Sequence, residues 1–474
     1  MKRMITQKLS DFTKDTNFLS IPSNVVEESK RLILDSIGCA IAGVGEPKGE
    51  IGIKFSQTLG QNDPVATIIG TGKRASIFGA AFANGELINA LDMDAVLPPG
   101  HVSPYVLPVI FAVGEEQQSS GQAIIESVAL SHEMSFRIGK AMDYLRDIRD
   151  GKADPPPVYG YSSTIFGATA AAGKLRGQSN STIAHALGIA ASIAPVQSQV
   201  AWFQHAPSST IKYLMAGALT QPALTACFMA ELGHRGDLQI LDDEEFGYRR
   251  FIGTRRWDAE RITEDLGEKW LFTPFSTIKP YPHCRILHSL LDCEIKLIKE
   301  HNIKPDEIEG IKVYVEGFVE QPVWLNKNIE LVHDAQFSIA HGIAIGALGL
   351  KPGKDWQDPN IVFSEQTLNL MRKVTQEIHP DYITQLTANP SSKPAKIEIT
   401  ARGEVFIGET LFPKGIRSPD PETYMSNSEL IEKFLHNASS RLTTLRAKKV
   451  VDMVVNLEDV KDFSFVMKNL ATDL

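Results

Sequence analysis

The spacing of apolar residues changes near residue 275, and this change constrains the fold more than any other feature of the sequence. From residue 20 to about residue 180, the apolar residues recur near the 3.6-residue period of an α-helix. Residues 311–315 instead alternate apolar and polar side chains, which is the period of a half-buried strand. Residues 426–474 return to helical spacing. The sequence therefore predicts a mainly α protein into which an α+β segment is inserted.

Two segments predict pairs of antiparallel elements. Residues 164–194 are rich in alanine and glycine and are interrupted by a polar break at residues 177–181, which predicts a helix hairpin. Residues 397–407 alternate apolar and polar side chains on both sides of Arg402 and Gly403. This pattern is typical of two strands joined by a tight turn, so we expect a β-hairpin here.

The composition limits the class of protein. A chain of 474 residues favours two or three domains. Its 43% hydrophobic and 22% charged residues exclude a disordered, collagen-like or coiled-coil chain. The net charge of -9, without long blocks of one sign, argues against nucleic acid or an anionic membrane as a partner. An anionic ligand would therefore require a local cluster of basic residues.

Three features predict a cytoplasmic protein. The first residues contain no apolar segment of the kind found in signal peptides. The most apolar short run, residues 107–113, is broken by a proline and is far shorter than the roughly 20 residues that cross a bilayer. The four cysteines have no CxxC spacing, which favours a reducing compartment.

The first cluster of residues suited to chemistry lies between residues 84 and 104. An apolar, helix-like segment ends in Asp92 and Asp94, and a Pro-Pro-Gly loop leads from there to His101. A carboxylate and an imidazole placed in this way can form an acid–base pair. The alternative interpretation is an aspartate that caps a helix beside a solvated histidine in a loop.

A second cluster lies at residues 276–289, where an extended segment with two prolines leads into a predicted helix. Lys279, His283 and Arg285 can present positive charge to a carboxylate, and Arg285 suits a bidentate contact. The alternative is a basic surface linker between domains. The histidines and cysteines of this segment match no standard zinc-ligand spacing, so we expect no metal site.

The chain as a whole resembles the MmgE/PrpD family, which includes 2-methylcitrate dehydratases, cis-aconitate decarboxylases and iminodisuccinate epimerases. The resemblance extends over nearly the full length and depends on six motifs in the order typical of the family. These are LILDSIGCAIAG at 32–43, FANGELINALDMD at 82–94, GHVSP at 100–104, IKYLMAG at 211–217, KPYPHCRILH at 279–288 and DAQFSIAHGIAIG at 334–346.

The resemblance implies an architecture and a mode of action. It implies a mainly α fold with a smaller α+β lid domain, the helical domain comprising residues 1–272 plus 415–474 and the lid residues 273–414. The active site would lie in the cleft between the two domains. The resemblance also implies a homodimer that works without metal or organic cofactor.

Individual residues match the active-site positions of the family. Asp92 and His101 match its active-site aspartate and loop histidine, and Lys212 and Lys279 match its two lysines. We expect His101 to exchange the proton with the substrate or its leaving group, and Asp92 to orient the imidazole and help to position the substrate. The alternative makes a lysine the base and leaves His101 as a second anion-binding group. From its surroundings alone, Lys212 would be a lysine whose amine reaches the surface. The resemblance also implies substrate binding by residues whose family counterparts are less uniform: Arg285, His283 or its neighbour Cys284, Tyr159 or Tyr161 in place of a family histidine, and His341 where decarboxylase-like members have a tyrosine.

The sequence departs from the family pattern beside the first aspartate. The usual pattern is D-x-D-D-T, whereas this chain has Asp92, Met93, Asp94, Ala95 and Val96. One carboxylate and one hydroxyl are therefore missing. The loop that leads to the histidine is also one residue shorter than in the decarboxylases.

These features predict a lyase that acts on a small di- or tricarboxylate such as 2-methylcitrate or cis-aconitate, with dehydration of a 2-methylcitrate-like acid slightly preferred. The reaction begins with proton transfer at a carbon next to a carboxylate, where nearby cations stabilise the developing charge. The same intermediate can lose a hydroxyl, lose carbon dioxide or be reprotonated. An epimerase of the iminodisuccinate type is therefore one alternative, favoured by Ala95 and Val96. An inactive family member that binds a carboxylate is the second alternative.

Overall fold

The computed structural model describes residues 3–60, 64–144, 146–154, 156–196 and 199–472. The first half of the chain is built from helices. They are α1 Ile5–Asp15, α2 Ser23–Gly43, α3 Pro47–Ser56, α4 Ile77–Ile88, α5 Ser103–Glu116, α6 Gly121–Ala141, α7 Thr164–Leu175, α8 Asn180–Ser192, α9 Gln199–Gln204, α10 Ala216–Glu231, α11 Tyr248–Ile252 and α12 Glu260–Thr263. Short two-residue strands connect some of them: β1 Ala66–Thr67, β2 Arg74–Ala75, β3 Val96–Leu97, β4 Gly100–His101, β5 Ile148–Arg149 and β6 Lys152–Ala153.

Small residues allow these helices to pack closely. Helices α7 and α8 form the predicted hairpin, and Ser179 caps the start of α8 by accepting a hydrogen bond from the backbone of Thr182. On α7, Gly167 faces α6 so closely that an added Cβ would lie 2.3 Å from the carbonyl oxygen of Ser131. Only glycine fits at such a contact, which is why this segment is rich in small residues.

The middle of the chain forms a four-stranded sheet with helices. Its strands are β7 Ile308–Val315, β8 Val374–Ile378, β9 Ala395–Ala401 and β10 Glu404–Thr410, in the order β10-β9-β7-β8. The helices are α13 His288–His301, α14 Pro322–Leu325, α15 Val332–Ala335, α16 Ile339–Gly346, α17 Pro359–Val362, α18 Glu365–Arg372 and α19 Tyr382–Ala388. Strand β7 pairs in parallel with β8 and antiparallel with β9.

The sheet confirms the alternation seen in the sequence. Ile311, Val313 and Val315 are buried, because one face of β7 packs on the helices of the lid. The predicted hairpin is β9 and β10, and the turn between them places Arg402 at φ 56° and Gly403 at φ 72°. Two consecutive residues with positive φ are characteristic of a type I′ turn.

The end of the chain returns to the helical body. Helix α20 (Asn427–Ala438) packs on α2, α21 (Thr444–Val455) follows it, and α22 (Ser464–Lys468) packs on α5. The molecule is mainly α with a smaller α+β part, as the sequence predicts. The proposed domain boundaries at residues 272 and 415 stay a prediction. Within the described residues, no helix combines the length and apolarity required to cross a membrane.

Candidate active site

Asp92 lies in a tight loop that follows the end of α4. Its backbone φ is 52°, a value that aspartate tolerates better than most residues. Asn89, at the end of the helix, fixes the loop: its side-chain amide donates to Asp94 at 3.1 Å and to the hydroxyl of Tyr213 at 2.8 Å. That hydroxyl in turn donates to Oδ1 of Asp92 at 3.0 Å. The Asp92 carboxylate is 1% exposed.

Two lysines that are distant in sequence meet at this carboxylate. Nζ of Lys279 donates to Oδ2 of Asp92 at 2.6 Å. Nζ of Lys212 lies 3.5 Å from Oδ1 and donates to the carbonyl oxygen of Asn89 at 2.6 Å. Burial opposes the charge of Asp92, but Lys279, Lys212 and His101 hold its pKa well below its usual range. Burial lowers the pKa of Lys212 to about 8, although Asp92 opposes this shift.

His101 is held by the second aspartate of the loop. Strands β3 and β4 form a hairpin that pairs Val96 with His101 and brings the imidazole back over the Asp92 loop. Its Nδ1 lies 2.6 Å from Oδ2 of Asp94, while its Nε2 lies 3.8 Å from Oδ1 of Asp92. The ring stacks on Tyr213 with centroids 4.6 Å apart. A carboxylate at Nδ1 fixes the orientation of the ring and leaves Nε2 to face a substrate.

A buried ion pair supports the loop from behind. Lys433 on α20 donates to Oδ1 of Asp35 on α2 at 2.5 Å and to the carbonyl oxygen of Met93 at 2.9 Å. Oδ2 of Asp35 accepts from the backbone N–H of Ala95 at 3.0 Å. Although burial opposes its charge, Asp35 raises the pKa of Lys433 above its ordinary value. The pair therefore holds the backbone on both sides of Asp94, the residue that orients His101.

Asp92 and His101 open into a cavity of about 1200 Å³, a volume that includes its mouth. Aromatic side chains form much of its wall: Tyr144, Tyr159, Tyr161, Trp202, Phe203, Tyr213, Phe275, Phe318, Trp324 and Phe337. Tyr161 stacks on Tyr213 with centroids 4.9 Å apart, and its ring approaches Gly100 so closely that no Cβ would fit there. The cavity is thus mainly apolar with a few charged groups, as is usual for small-molecule sites.

The structure brings most of the predicted site residues together. Asp92, His101, Tyr159 and Arg285 line the cavity. Lys212 and Lys279 lie directly behind Asp92 and reach the cavity through its carboxylate.

The two other predicted histidines are buried inside the lid and are not among the residues that line the cavity. His283 packs against Gly342, and Nε2 of His341 lies 3.2 Å from the carbonyl oxygen of Val362. Burial lowers the pKa of His283 to about 3, with help from His341, and burial lowers the pKa of His341 to about 4. Both rings are therefore neutral at physiological pH, and their role in substrate binding stays a prediction.

Sequence reasoning missed three kinds of contributor. It placed Asp92 beside His101 as the orienting group, whereas the shorter contact belongs to Asp94. It also gave no weight to Tyr213, although this residue directly follows Lys212. Lys393 lines the cavity from the lid, and nothing in its local sequence marks it. Among the residues that the structure describes, no group of three or more His, Cys, Asp or Glu side chains is arranged to hold a metal ion.

Comparison with known proteins identifies the family. Residues 7–260 match the MmgE/PrpD N-terminal domain, and residues 281–459 match the MmgE/PrpD C-terminal domain. The chain therefore belongs to the MmgE/PrpD family.

Several similar proteins are cis-aconitate decarboxylases. The enzyme from Homo sapiens is 25% identical over 481 residues, which cover 98% of this chain and 94% of that protein. The Mus musculus enzyme is 26% identical over 490 residues, covering 99% and 94%. The enzyme from Aspergillus terreus (strain NIH 2624 / FGSC A1156) is 25% identical over 496 residues, covering 99% and 96%. Together with the family, these relatives make the chain an enzyme of the lyase class.

Proposed function

We propose that this lyase decarboxylates a small unsaturated tricarboxylate of the cis-aconitate type without a cofactor. The observation that carries the proposal is the pairing of His101 with Asp94 at 2.6 Å, with Nε2 of the ring beside Asp92 at a cavity wall. The relatives named cis-aconitate decarboxylase match almost the whole chain and support this choice over dehydration.

The proposed reaction needs one bond broken and one proton delivered. The C–C bond to the departing carboxylate breaks, and its electron pair forms a new C=C bond. The existing C=C bond shifts, and the carbon next to a second carboxylate takes up a proton. His101 delivers this proton from Nε2, while Asp94 keeps the ring in place.

The charged groups around Asp92 determine the electrostatic potential at the reacting carbon. Lys212 and Lys279 neutralise Asp92 in a buried position and require no reorganisation during the reaction. The aromatic wall excludes water from the leaving carboxylate, and an apolar surrounding favours loss of its charge as carbon dioxide. Asp92 helps to position the substrate, because its carboxylate reaches the same space as Nε2 of His101.

Dehydration and epimerisation are the other candidates. Val96 lines the cavity where the family pattern has a threonine, and the backbone of Ala95, which replaces a family aspartate, is bound by Asp35. These two positions therefore offer the substrate no hydroxyl or carboxylate. This difference supports an epimerase of the iminodisuccinate type as the second candidate, because a simple reprotonation makes no leaving group to assist.

One NMR experiment separates the candidates. Purified protein is incubated in deuterated buffer with cis-aconitate, 2-methylcitrate, citrate and iminodisuccinate, one acid at a time. We expect cis-aconitate to lose carbon dioxide and to gain one deuterium in the product. Formation of an alkene from 2-methylcitrate would instead establish the dehydratase. Exchange without net loss would establish the epimerase, and silence with all four acids would favour the inactive, carboxylate-binding alternative.

Two variants control this experiment. His101→Gln removes the proposed proton donor and is expected to slow the reaction by about 10²–10⁴-fold. His234→Gln changes an exposed histidine remote from the cavity lining and is expected to react like the wild type. Equal turnover by both variants would remove His101 from the chemistry.

We also propose that the protein is a homodimer, as the family resemblance implies, and that it lies in the cytoplasm, as its cysteine pattern favours. Exposed large apolar residues such as Leu232 and Phe246, which are 75% and 76% exposed, support a further contact surface. Sedimentation equilibrium tests the assembly: a mass of twice 52.1 kDa is expected, and a monomer at micromolar concentration would contradict it.

A further inference from the structure

Positive charge also gathers in a part of the cavity that the proposed chemistry does not use. Four cationic side chains line the cavity in addition to His101: Arg146, Arg285, Lys393 and Arg417. Two of them already have anionic partners. Arg146 donates to Glu316 at 2.9 Å through Nε and also to backbone carbonyls, and Arg417 donates to Glu28 at 2.7 Å. Arg285 and Lys393, which we call the lid cations, have no such partner among the described residues.

Arg285 is a buried guanidinium with unused donors. Arg285 is 8% exposed. Its Nη1 donates to the carbonyl oxygen of Lys414 at 2.9 Å and lies 3.1 Å from Nδ1 of His288. Its Nε and its second terminal nitrogen are buried without a hydrogen-bond partner among the described residues. Buried polar groups in native proteins are almost always satisfied, so these donors indicate a missing acceptor.

Lys393 lines the same cavity as Arg285 and lies within electrostatic range of it. It lies two residues before the start of strand β9, and the chain before it is fixed because Arg146 donates to the carbonyl oxygens of Pro390 and Ser392. Glu316, an acid within electrostatic range of Lys393, is bound by Arg146 and forms no ion pair with Lys393. An anion that enters the cavity therefore gives the Lys393 amine an ion-pair partner.

We propose that the lid cations form a subsite for a carboxylate of the substrate other than the one that reacts. This inference rests on the proposed function and extends it to the recognition of the second carboxylate. Arg285 supplies planar donors that suit a carboxylate, and Lys393 adds a further donor at the same cavity. The preferred ligand is therefore a di- or tricarboxylate.

The position of Cys284 links this subsite to the catalytic residues. Cys284 lines the cavity, and its thiol lies within electrostatic range of Asp92 and Lys279 as well as of Lys393. Trp324 donates its indole N–H to Sγ of Cys284 at 3.4 Å, which fixes the thiol at the wall. One small ligand can thus contact both regions.

The subsite predicts a pH dependence of binding. The charged and titratable groups that face Lys393 are Arg146, Glu316, Arg285 and Cys284. Burial and the two arginines lower the pKa of Lys393 to about 7, while Glu316 opposes this shift. The amine therefore carries its proton below about pH 7 and loses it above that value. Because a carboxylate requires the charged amine, affinity should fall as the pH rises, and binding above neutral pH should take up a proton.

The test measures binding by isothermal titration calorimetry with two unreactive probes, tricarballylate and butyrate. Lys393→Ala is expected to weaken tricarballylate binding about tenfold or more at a pH of about 6.5, because one charge-assisted hydrogen bond is lost. The same variant is expected to leave the affinity for butyrate unchanged. Lys393→Arg is expected to bind tightly and to lose little affinity between pH values of about 6.5 and 8.5, since arginine keeps its proton. Lys396→Ala, at a half-exposed ion pair on β9 outside the cavity lining, is the matched control.

The outcomes separate this inference from the proposed function. Tricarballylate binding by Lys393→Ala at the wild-type affinity would overturn the subsite, even if the wild type decarboxylates cis-aconitate. Failure of the wild type to bind tricarballylate would also overturn it. Lys393-dependent binding by a protein that transforms none of the four acids would overturn the proposed reaction and leave the subsite standing. If Lys393→Ala does not fold, the pH profile of Lys393→Arg decides, and a profile as steep as that of the wild type contradicts the proposal.

Discussion

The cavity has two charged regions that differ in how their charges are satisfied. Around Asp92, each lysine amine has a protein acceptor within hydrogen-bond distance or an acid within 3.5 Å, and His101 is fixed by Asp94. At the lid cations, Nε and one terminal nitrogen of Arg285 are buried without an acceptor among the described residues, and Lys393 forms no ion pair there. A satisfied network is preorganised and can stabilise a transition state without rearrangement, whereas unused donors are available to a ligand. The comparison therefore assigns chemistry to the first region and recognition to the second.

The largest combined effect on activity and stability is expected from breaking the first region. Lys279 is fully buried and 2.6 Å from Asp92, so Lys279→Ala leaves a buried carboxylate with one cation fewer. We expect kcat/KM to fall at least about tenfold and the free energy of unfolding to fall by about 3–5 kcal/mol. Steady-state kinetics and urea denaturation measure both quantities. Lys269→Ala, at an exposed pair with Asp265, is the control, and wild-type kinetics for Lys279→Ala would remove this lysine from the site.

Removing the proton donor should affect turnover more than stability. We expect His101→Gln to lower kcat by about 10²–10⁴-fold, as is typical for loss of a general acid. Asp94→Asn should lower kcat less, because the imidazole remains but loses its orienting carboxylate. A His101→Gln enzyme that retains most of its kcat, with an unchanged pH–rate profile, would assign the proton transfer to Lys212 or Lys279.

The ion pair behind the loop offers a sharper test of preorganisation. Asp35→Asn and Lys433→Met each leave a buried partner unpaired and should each lower the free energy of unfolding by about 3–5 kcal/mol. The double variant should lose less than the sum of the two, because neither charge then remains unpaired. Both single variants should lower kcat with little change in KM. A loss of stability with wild-type kcat would show that the pair supports the fold alone.

Lys212 predicts a smaller, pH-dependent effect on stability. Its folded pKa of about 8 lies below its ordinary value of 10.5, so the unfolded chain binds this proton more tightly. Below pH 8, the folded protein bears the full free-energy cost of burying the charged amine. This cost disappears as the pH rises to 10.5. Relative to Lys212→Met, the wild type should gain about 1–3 kcal/mol in free energy of unfolding over that range. A constant difference between the two proteins across these pH values would contradict this sign.

Metal removal should have the smallest effect. We expect activity to be unchanged after dialysis against EDTA, because neither the family resemblance nor the ligand spacing implies a metal site. Loss of activity that one specific metal restores would contradict this expectation and would require a new assignment for the residues of the cavity.

Local patterns were sufficient to predict much of the fold. The alternation at residues 311–315 and the turn at Arg402 and Gly403 depend on neighbouring residues, and both appear in the structure as predicted. The motifs also predicted a shared site for Asp92, His101 and Arg285, and all three residues line one cavity.

Contacts between residues that are distant in sequence could not be predicted from local patterns. Asp35 and Lys433 are 398 positions apart, and no local pattern pairs them. The choice of Asp94 over Asp92 as the partner of His101 depends on the positive φ of Asp92 and on the β3–β4 hairpin, which only the folded loop reveals. The cationic neighbours of Lys393 are Arg146 and Arg285, which belong to other segments of the chain.

The most direct test of the division between chemistry and recognition is one set of steady-state kinetics. His101→Gln and Lys393→Ala are assayed on the same carboxylate that the wild type transforms, at a pH of about 6.5. We predict that His101→Gln lowers kcat with KM changed less than about threefold, and that Lys393→Ala raises KM about tenfold with kcat nearly unchanged. The same change in kcat and KM for both variants, or the reverse assignment, would contradict the account.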